Sequence, residues 1–75
     1  MLLNACILLK VVPTAAESIL NAVQKVEKVV NAFFVYGRFD IAVFVEVENY
    51  EELRDITSQI NCVPGVRSTE TLAEA

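Results

Sequence analysis

The sequence contains no histidine and no tryptophan, and only two glycines, two prolines and two cysteines among its 75 residues. Without histidine, the commonest general base and the commonest metal ligand are both missing. Only six lysines and arginines stand against ten aspartates and glutamates, and they are scattered rather than grouped into a basic stripe. We therefore expect no enzyme, no metal or cofactor site, and no direct binding of nucleic acid by this chain.

Long hydrophobic runs are also missing, because no uninterrupted apolar run exceeds five residues. A membrane-spanning helix needs about 18 or more. The apolar start of the chain lacks a basic segment and is interrupted by Asn4 and Lys10, so it does not read as a signal peptide. Cys6 and Cys62 fall at opposite ends of the predicted sheet, too far apart for a disulfide. We expect reduced thiols, no membrane contact and a cytoplasmic location.

What the chain does contain is apolar residues, at 55% of the composition with a mean hydropathy of +0.47. This predicts a folded chain, organised as a single domain over residues 1–75. A core of this size supplies roughly 3–5 kcal/mol of stability unless disulfides, metal or association add to it. Since the first two are not expected, we predict a homo-oligomer.

Six segments of regular structure are predicted from hydrophobic periodicity and from turn and capping residues. Pro13 ends the first strand, and Thr14 with Glu17 has the spacing of a capping box. Asn49 with Glu52 repeats that spacing before a second helix. The predicted elements are strands over 5–12, 29–36, 39–47 and 66–72 and helices over 15–27 and 50–61.

The order of these elements predicts an α+β, ferredoxin-like βαββαβ fold. Its sheet is antiparallel with strand order 4-1-3-2, and both helices cover one face. Gly37 and Arg38 form a two-residue hairpin loop, with glycine at the position that favours positive φ. The hairpin then pairs Tyr36 with Phe39, Phe34 with Ile41 and Ala32 with Val43.

Side-chain alternation from this hairpin separates two faces of the sheet. The predicted inward face is almost wholly apolar and comprises Ala5, Ile7, Leu9, Val11, Val30, Ala32, Phe34, Tyr36, Phe39, Ile41, Val43, Val45 and Val47. The other face carries Cys6, Leu8, Phe33, Val35, Ala42 and Phe44 among polar residues, with no element left to cover it. We expect this face to form a dimer interface, the alternative being a solvated face with scattered hydrophobic residues.

The hairpin is also the candidate binding site. Gly37 exposes backbone N–H groups, Arg38 adds a positive charge and Asp40 a negative one, so both charges of a free amino acid could be met there. Ser68, Thr69 and Thr71 add hydroxyl groups on the last strand. The alternative is an ordinary hairpin with a solvated or turn-bonded Asp40, and hydroxyl residues that only fill a strand.

Residues 36–40 (YGRFD) and residues 63–71 (VPGVRSTET) together resemble the effector-binding domain of the Lrp/AsnC family of transcriptional regulators. This domain is called RAM, for regulation of amino-acid metabolism. The similarity runs in the same element order from the first strand to the last. Family members carry a helix-turn-helix domain that this sequence lacks, so the chain resembles a stand-alone RAM domain.

The resemblance implies a dimer formed through the sheets, and rings of dimers such as an octamer or decamer. It also implies that a small effector, usually an amino acid, binds between neighbouring dimers. It implies no catalysis. Gly37, Arg38 and Asp40 would contact the effector, with Ser68, Thr69 or Thr71 contributed by the same or another subunit. A DNA-binding Lrp/AsnC paralogue is an implied partner. The alternative is a small enzyme of the dimeric α+β barrel type, with substrate inside the barrel.

Overall fold

The computed structural model describes residues 2–73, which form four strands, two α-helices and a short 3₁₀ turn. In chain order these are β1 (Leu3–Val11), the 3₁₀ turn (Pro13–Ala15), α1 (Ala16–Gln24), β2 (Val29–Phe34), β3 (Ile41–Val47), α2 (Tyr50–Asn61) and β4 (Val66–Ala73). This order confirms the predicted βαββαβ arrangement. No helix within the described range is long and apolar enough to cross a membrane.

The four strands form one antiparallel sheet in the order β2-β3-β1-β4. The predicted order 4-1-3-2 is therefore confirmed. The long β1 lies in the middle, and Ile7 faces Val43 on one neighbour and Thr71 on the other. Directly opposite residues of antiparallel strands place their side chains on the same face, so this register decides which residues share a face.

The hydrophobic core lies between one face of the sheet and the two helices. Alternate residues of β1 and β3 are buried there, as the period of two predicts. Each helix buries residues three or four apart, which is the stripe of an amphipathic helix. The buried cluster comprises Ala5, Ile7, Leu9, Val11, Ile19, Val23, Ala32, Ile41, Val43, Val45, Val47, Leu53, Ile56 and Ile60.

The start of β2 departs from the predicted face because of a β-bulge at Val30. Val29 rather than Val30 pairs with Val45, and the register shifts before Asn31. The prediction that Val30 points inward is wrong, since it is 60% exposed while Val29 packs against the core. A bulge inserts one extra residue, so side chains before it point to the opposite face of the sheet from the one that simple alternation predicts. Lys28, just ahead of the bulge, has a φ of +79°.

The hairpin is wider than predicted. Phe34 pairs with Ile41 and Ala32 with Val43 as expected, but the ladder stops there and residues 35–40 form the loop. Tyr36 and Phe39 do not pair, and Tyr36 is 100% and Phe34 45% exposed rather than buried. The reason is that the helix layer begins beside Val11 and does not extend over the hairpin.

Only one of the two predicted capping boxes exists. The side chain of Asn49 accepts a hydrogen bond from the Glu52 N–H (2.8 Å), and Glu52 Oε1 accepts one from the Glu48 N–H (3.0 Å). The predicted Thr14–Glu17 pair is wrong: α1 begins later, at Ala16, without a side-chain cap. Proline fits the first turn of a helix, and here it starts a 3₁₀ turn that contains Thr14.

Gly65 joins the end of α2 to β4 at a point of close packing. Its φ is +98°, and a β-carbon there would lie 2.8 Å from Ala15 Cβ and 2.9 Å from Ile19 Cδ1. Its carbonyl oxygen accepts a hydrogen bond from the Val12 N–H (2.9 Å). Glycine at this position therefore lets the turn before β4 approach the start of α1.

We predict that Gly65→Ala lowers the free energy of unfolding by about 2–4 kcal/mol, because it adds a steric clash to backbone strain. Gly37→Ala is the matched control, since Gly37 also has a positive φ (+115°) but a β-carbon there would have no atom within 4 Å. Urea denaturation at equal protein concentration measures both. Equal losses for the two variants would contradict the packing role of Gly65.

Candidate functional site

The loop at residues 35–40 is held to the sheet by backbone hydrogen bonds. The Val35 N–H donates to the carbonyl oxygen of Asp40 (2.9 Å), which closes the loop. The Asp40 N–H donates to the carbonyl oxygen of Leu9 (2.8 Å). Because Leu9 is fully buried in the central strand, the Asp40 end of the loop has a fixed position.

The Asp40 side chain adds a further link to β1. Its Oδ2 accepts a hydrogen bond from the Val11 N–H (2.9 Å), at the point where the register between β1 and β4 shifts. Within residues 2–73, Asp40 Oδ1 has no hydrogen-bond partner, and the residue is half-buried. One carboxylate oxygen therefore bonds to the backbone of β1, and the other remains available to accept a hydrogen bond from a ligand.

Two positively charged residues belong to this loop or contact it. Lys10 Nζ donates to the carbonyl oxygen of Arg38 (3.3 Å), which places the ammonium group against the loop. Arg38 itself is exposed, next to the positive-φ Gly37. The loop therefore carries or contacts charges of both signs.

The three hydroxyl residues of β4 do not share one face. Ser68 is opposite Lys10, whereas Thr69 is opposite Leu9 and Thr71 opposite Ile7. The two threonines therefore lie on the helix-covered face, and Thr69 Oγ1 donates to Asn61 Oδ1 at the end of α2 (3.2 Å). Of these three residues, Ser68 alone lies on the same face of the sheet as Lys10.

The uncovered face of the sheet, called here the open face, is centred on two phenylalanines. The rings of Phe33 and Phe44 stack with centroids 5.7 Å apart and are 40% and 38% exposed. Ala42 is buried between Leu8 and Phe33 in the register. Cys6 and Leu8 are half-buried on the same face, while Val35 lies in the loop rather than in β2.

A groove of about 400 Å³ crosses the open face at the end of the sheet farthest from the hairpin. It is lined by Asn4, Ala5, Cys6, Val30, Phe44, Val45, Leu72 and Ala73. Burial raises the pKa of the Cys6 thiol, so a smaller fraction of it is the reactive thiolate. This groove is apolar and contains no carboxylate.

A second cavity, called here the niche, lies between the hairpin and the start of α1. Its volume is about 260 Å³, and it is lined by Val11, Pro13, Ala16, Phe34, Val35, Tyr36 and Asp40. Asp40 is its one charged lining residue. The niche exists because the helix layer stops short of the hairpin.

The match to known proteins agrees with this architecture. The family model of the Lrp/AsnC ligand binding domain matches residues 4–73. The chain therefore belongs to the Lrp/AsnC ligand-binding domain family. This confirms the family named from the hairpin and from residues 63–71. Comparison with curated proteins gives no match.

Several solved structures resemble this Lrp/AsnC domain closely. A protein of Thermus thermophilus is 27% identical, with a TM-score of 0.94 over 97% of this chain and 92% of that one. Escherichia coli AsnC is 20% identical (TM-score 0.88, 96% of this chain and 50% of that one). A Neisseria meningitidis transcriptional regulator, solved in complex with L-Met, is 17% identical (TM-score 0.87, 97% and 49%). The last two show the shared fold alone.

The structure of this Lrp/AsnC domain adds groups that sequence reasoning did not assign to a site. Leu72 is exposed opposite Cys6 on the open face, and Lys10 contacts the hairpin loop. Leu72 could have been found by continuing the strand register to β4, and Lys10 by continuing the register of β1 and β3 towards the loop. Phe34 and Tyr36 were instead assigned to the core, because alternation does not reveal where the helices end. Cys6 is a half-buried and Cys62 an exposed free thiol. In the described range, no three carboxylates or thiols group to hold a metal.

Removing the Asp40 carboxylate is expected to destabilise this Lrp/AsnC domain as well as alter its site. Asp40→Ala leaves the Val11 N–H without its partner, which costs about 1–3 kcal/mol in the free energy of unfolding. Asp40→Asn retains an acceptor oxygen and should cost less. Urea denaturation at fixed protein concentration measures the difference, and equal stability of wild type and Asp40→Ala would contradict this role.

Proposed function

We propose that this domain is a non-enzymatic amino-acid sensor that works within a homo-oligomer and modulates transcription of amino-acid metabolism genes. The proposal rests on the hairpin loop of this ligand-binding domain, in which Arg38 and Asp40 carry opposite charges close to Gly37 in the sequence. A zwitterionic amino acid requires both charges. The L-Met complex of the Neisseria regulator supports an effector of this class.

The effector contacts proposed here are Gly37, Arg38 and Asp40 from one chain. Arg38 and the loop N–H groups would bind the α-carboxylate, and Asp40 Oδ1 the ammonium. Ser68 lies on the open face opposite Lys10, whose ammonium group contacts the hairpin loop, so we assign its contact to the same chain. Thr69 and Thr71 face the helix layer of their own chain, so their contacts would have to come from a neighbouring subunit.

The open face is the proposed dimer interface, formed by Cys6, Leu8, Phe33, Ala42 and Phe44, with Val35 contributing from the adjoining loop. The exposed Phe33–Phe44 stack supports this, because aromatic rings bury about 150–250 Å² each and dominate interface energetics. Leu72 and Val30 extend the apolar surface towards both edges of the sheet. A second copy of the same face would remove this surface from water.

Assembly would couple ligand binding to regulation. An effector that binds only the assembled form stabilises it by RT ln(1 + [L]/Kd), about 2.7 kcal/mol at a hundredfold excess over Kd. That energy can shift the population of rings of dimers, whether octamers or decamers. Co-assembly with a DNA-binding relative in the cytoplasm would then carry the signal to transcription.

The alternative is an enzyme of the dimeric α+β barrel type, which would hold substrate between the two sheets. The groove on the open face would be enclosed in such a dimer. Its lining offers the Cys6 thiol and the Asn4 amide as polar groups and is otherwise apolar. A thiol whose pKa is raised by burial is a poor nucleophile, which favours the sensor.

A screen of the twenty amino acids is expected to identify at least one that raises the thermal midpoint or the oligomer mass. Arg38→Ala should weaken binding of that amino acid by about tenfold or more, because a charged hydrogen-bonding partner of the carboxylate is lost. Arg54→Ala, an exposed arginine on α2, is the matched control and should leave the affinity unchanged. Calorimetric titration measures all three proteins.

If no amino acid binds at millimolar concentration, the sensing role is wrong and only an assembly role remains. If Arg54→Ala weakens binding as much as Arg38→Ala, the hairpin is not the site.

The dimer predicts a concentration-dependent protection of Cys6. Alkylation of Cys6 by iodoacetamide should slow as protein concentration rises through the dimer dissociation constant, because the open face becomes covered. Cys62 is exposed on the helix side and serves as the internal control within the same molecule. Mass spectrometry of the two peptides at one fixed pH measures both rates. A constant ratio of the two rates over the whole range, with sedimentation of a single chain throughout, would contradict the interface.

A further inference from the structure

The pairing of β4 with β1 contains one extra residue. Lys10 is opposite Ser68, but the next residue of β1, Val11, is opposite Val66. Arg67 therefore has no partner on β1 and forms a β-bulge in an edge strand of the sheet. Because of this bulge, Ser68 and the alternate residues after it lie on the open face rather than under the helices.

Few apolar contacts hold β4 in this register. Val66 packs against the core, but none of the eight residues Val66–Ala73 is buried. The residues that face the helices further along β4, Thr69 and Thr71, are polar and half-buried. A strand with polar residues on both faces specifies its register weakly, because a slip by one residue moves no buried apolar side chain into water.

We infer that β4 is a register switch, which slips by one residue along β1 between this bulged pairing and an unbroken pairing, and that dimer formation selects the bulged one. The observation that carries the inference is the unpartnered Arg67 in an edge strand without a buried residue. The selection by the dimer rests on the proposed open-face interface, and the switch adds a means of regulating that interface.

The unbroken pairing keeps both the core contact and the hydroxyl contact of β4. Val66 remains opposite Val11, and each residue after it takes the position of its successor. Ser68 therefore takes the position of Thr69, whose Oγ1 donates a hydrogen bond to Asn61 Oδ1 (3.2 Å). The Ser68 hydroxyl is also a donor, so the slip exchanges one hydroxyl group for another at the end of α2.

The two registers place different side chains under the helices. The bulged register leaves Leu72 55% exposed on the open face, and the unbroken register moves it to the helix-covered face, where its burial is favourable. The unbroken register also moves Glu70 to that face and Arg67 to a position opposite Lys10. Partial desolvation of a carboxylate and two like charges on opposite strands are unfavourable. Because these terms oppose each other, neither register carries a large net cost.

Dimer formation distinguishes the registers because they present different open faces. In the bulged register Leu72 is opposite Cys6, which in turn is opposite Phe44. In the unbroken register Thr71 takes that place, so the open face loses its apolar residue on β4. An interface that buries leucine there is more stable than one that buries a threonine hydroxyl. A partner copy therefore stabilises the bulged register, and the slip in turn weakens the dimer.

Disulfide trapping by the native Cys6 distinguishes the registers in the full chain. Residue 72 is opposite Cys6 in the bulged register, and residue 71 is opposite Cys6 in the unbroken one. In a Cys62→Ser background, which removes the other thiol, Leu72→Cys reports the bulged register and Thr71→Cys the unbroken one. Ala73→Cys is the matched control, because residue 73 is opposite Cys6 in neither register.

The variants are oxidised in a glutathione buffer at one fixed pH, and mass spectrometry of the non-reduced chain measures the intrachain disulfide. In dilute protein, Thr71→Cys should cross-link about tenfold or more faster than Ala73→Cys, since only facing cysteines satisfy disulfide geometry. Raising the protein concentration through the dimer dissociation constant should slow the Thr71→Cys reaction. Leu72→Cys should cross-link at every concentration.

A further substitution tests the cost assigned to Glu70. Glu70→Gln removes the charge that the unbroken register places under the helices, so it should speed cross-linking of Thr71→Cys by about fivefold. It should slow cross-linking of Leu72→Cys, which reports the same shift without a substitution at Thr71. Glu48→Gln, at an exposed carboxylate just after β3, is the matched control and should change neither rate.

The outcomes separate the switch from the dimer. Equal cross-linking of Thr71→Cys and Ala73→Cys in dilute protein, with no effect of Glu70→Gln, would overturn the inference, and a dimer seen by sedimentation would still stand. A Thr71→Cys rate that does not fall while sedimentation shows dimer formation would overturn the selection of one register by the dimer. Sedimentation of a single chain at every concentration would contradict the proposed dimer, and the comparison of residues 71 and 73 would still decide whether two registers exist.

Discussion

The structure depends on one constraint: two helices cover only one face of a four-stranded sheet. Between that face and the helices, Ile7, Leu9 and Ile60 are fully buried. The other face leaves the stacked rings of Phe33 and Phe44 in contact with water. Contact between an apolar sheet face and water is unfavourable. The proposed dimer would cover this exposed face.

Asp40 at the hairpin belongs both to the fold and to the proposed binding site. Asp40 bonds to β1 through its backbone and one carboxylate oxygen, which gives the loop a fixed geometry. A site held in place before binding loses less conformational freedom when the ligand arrives. Because the helix layer ends before the hairpin, the same residue also borders a cavity. The niche is thus a consequence of where α1 begins.

Sequence patterns predicted the features that depend on neighbouring residues. The period of two in β1 and β3 identified the inward residues, and the spacing of Asn49 and Glu52 identified the cap of α2. The hairpin register was predicted at Phe34 and Ile41 because glycine at position 37 limits where the chain can turn. The candidate charges of the hairpin were likewise visible, because they depend only on residue type and on proximity to the loop.

The sequence by itself determined the order of elements, the middle of the hairpin register and the family, since all three follow from local periodicity and short motifs. Tertiary structure decided the rest. Val30 is displaced by a bulge because Val29 packs against the core in its place, and Phe34 and Tyr36 are exposed because no helix reaches them. Thr69 and Thr71 face α2 rather than the hairpin, because the pairing of β4 with β1 sets their side. Each of these outcomes depends on the contact between distant segments, and such contacts leave no periodic signal in the chain.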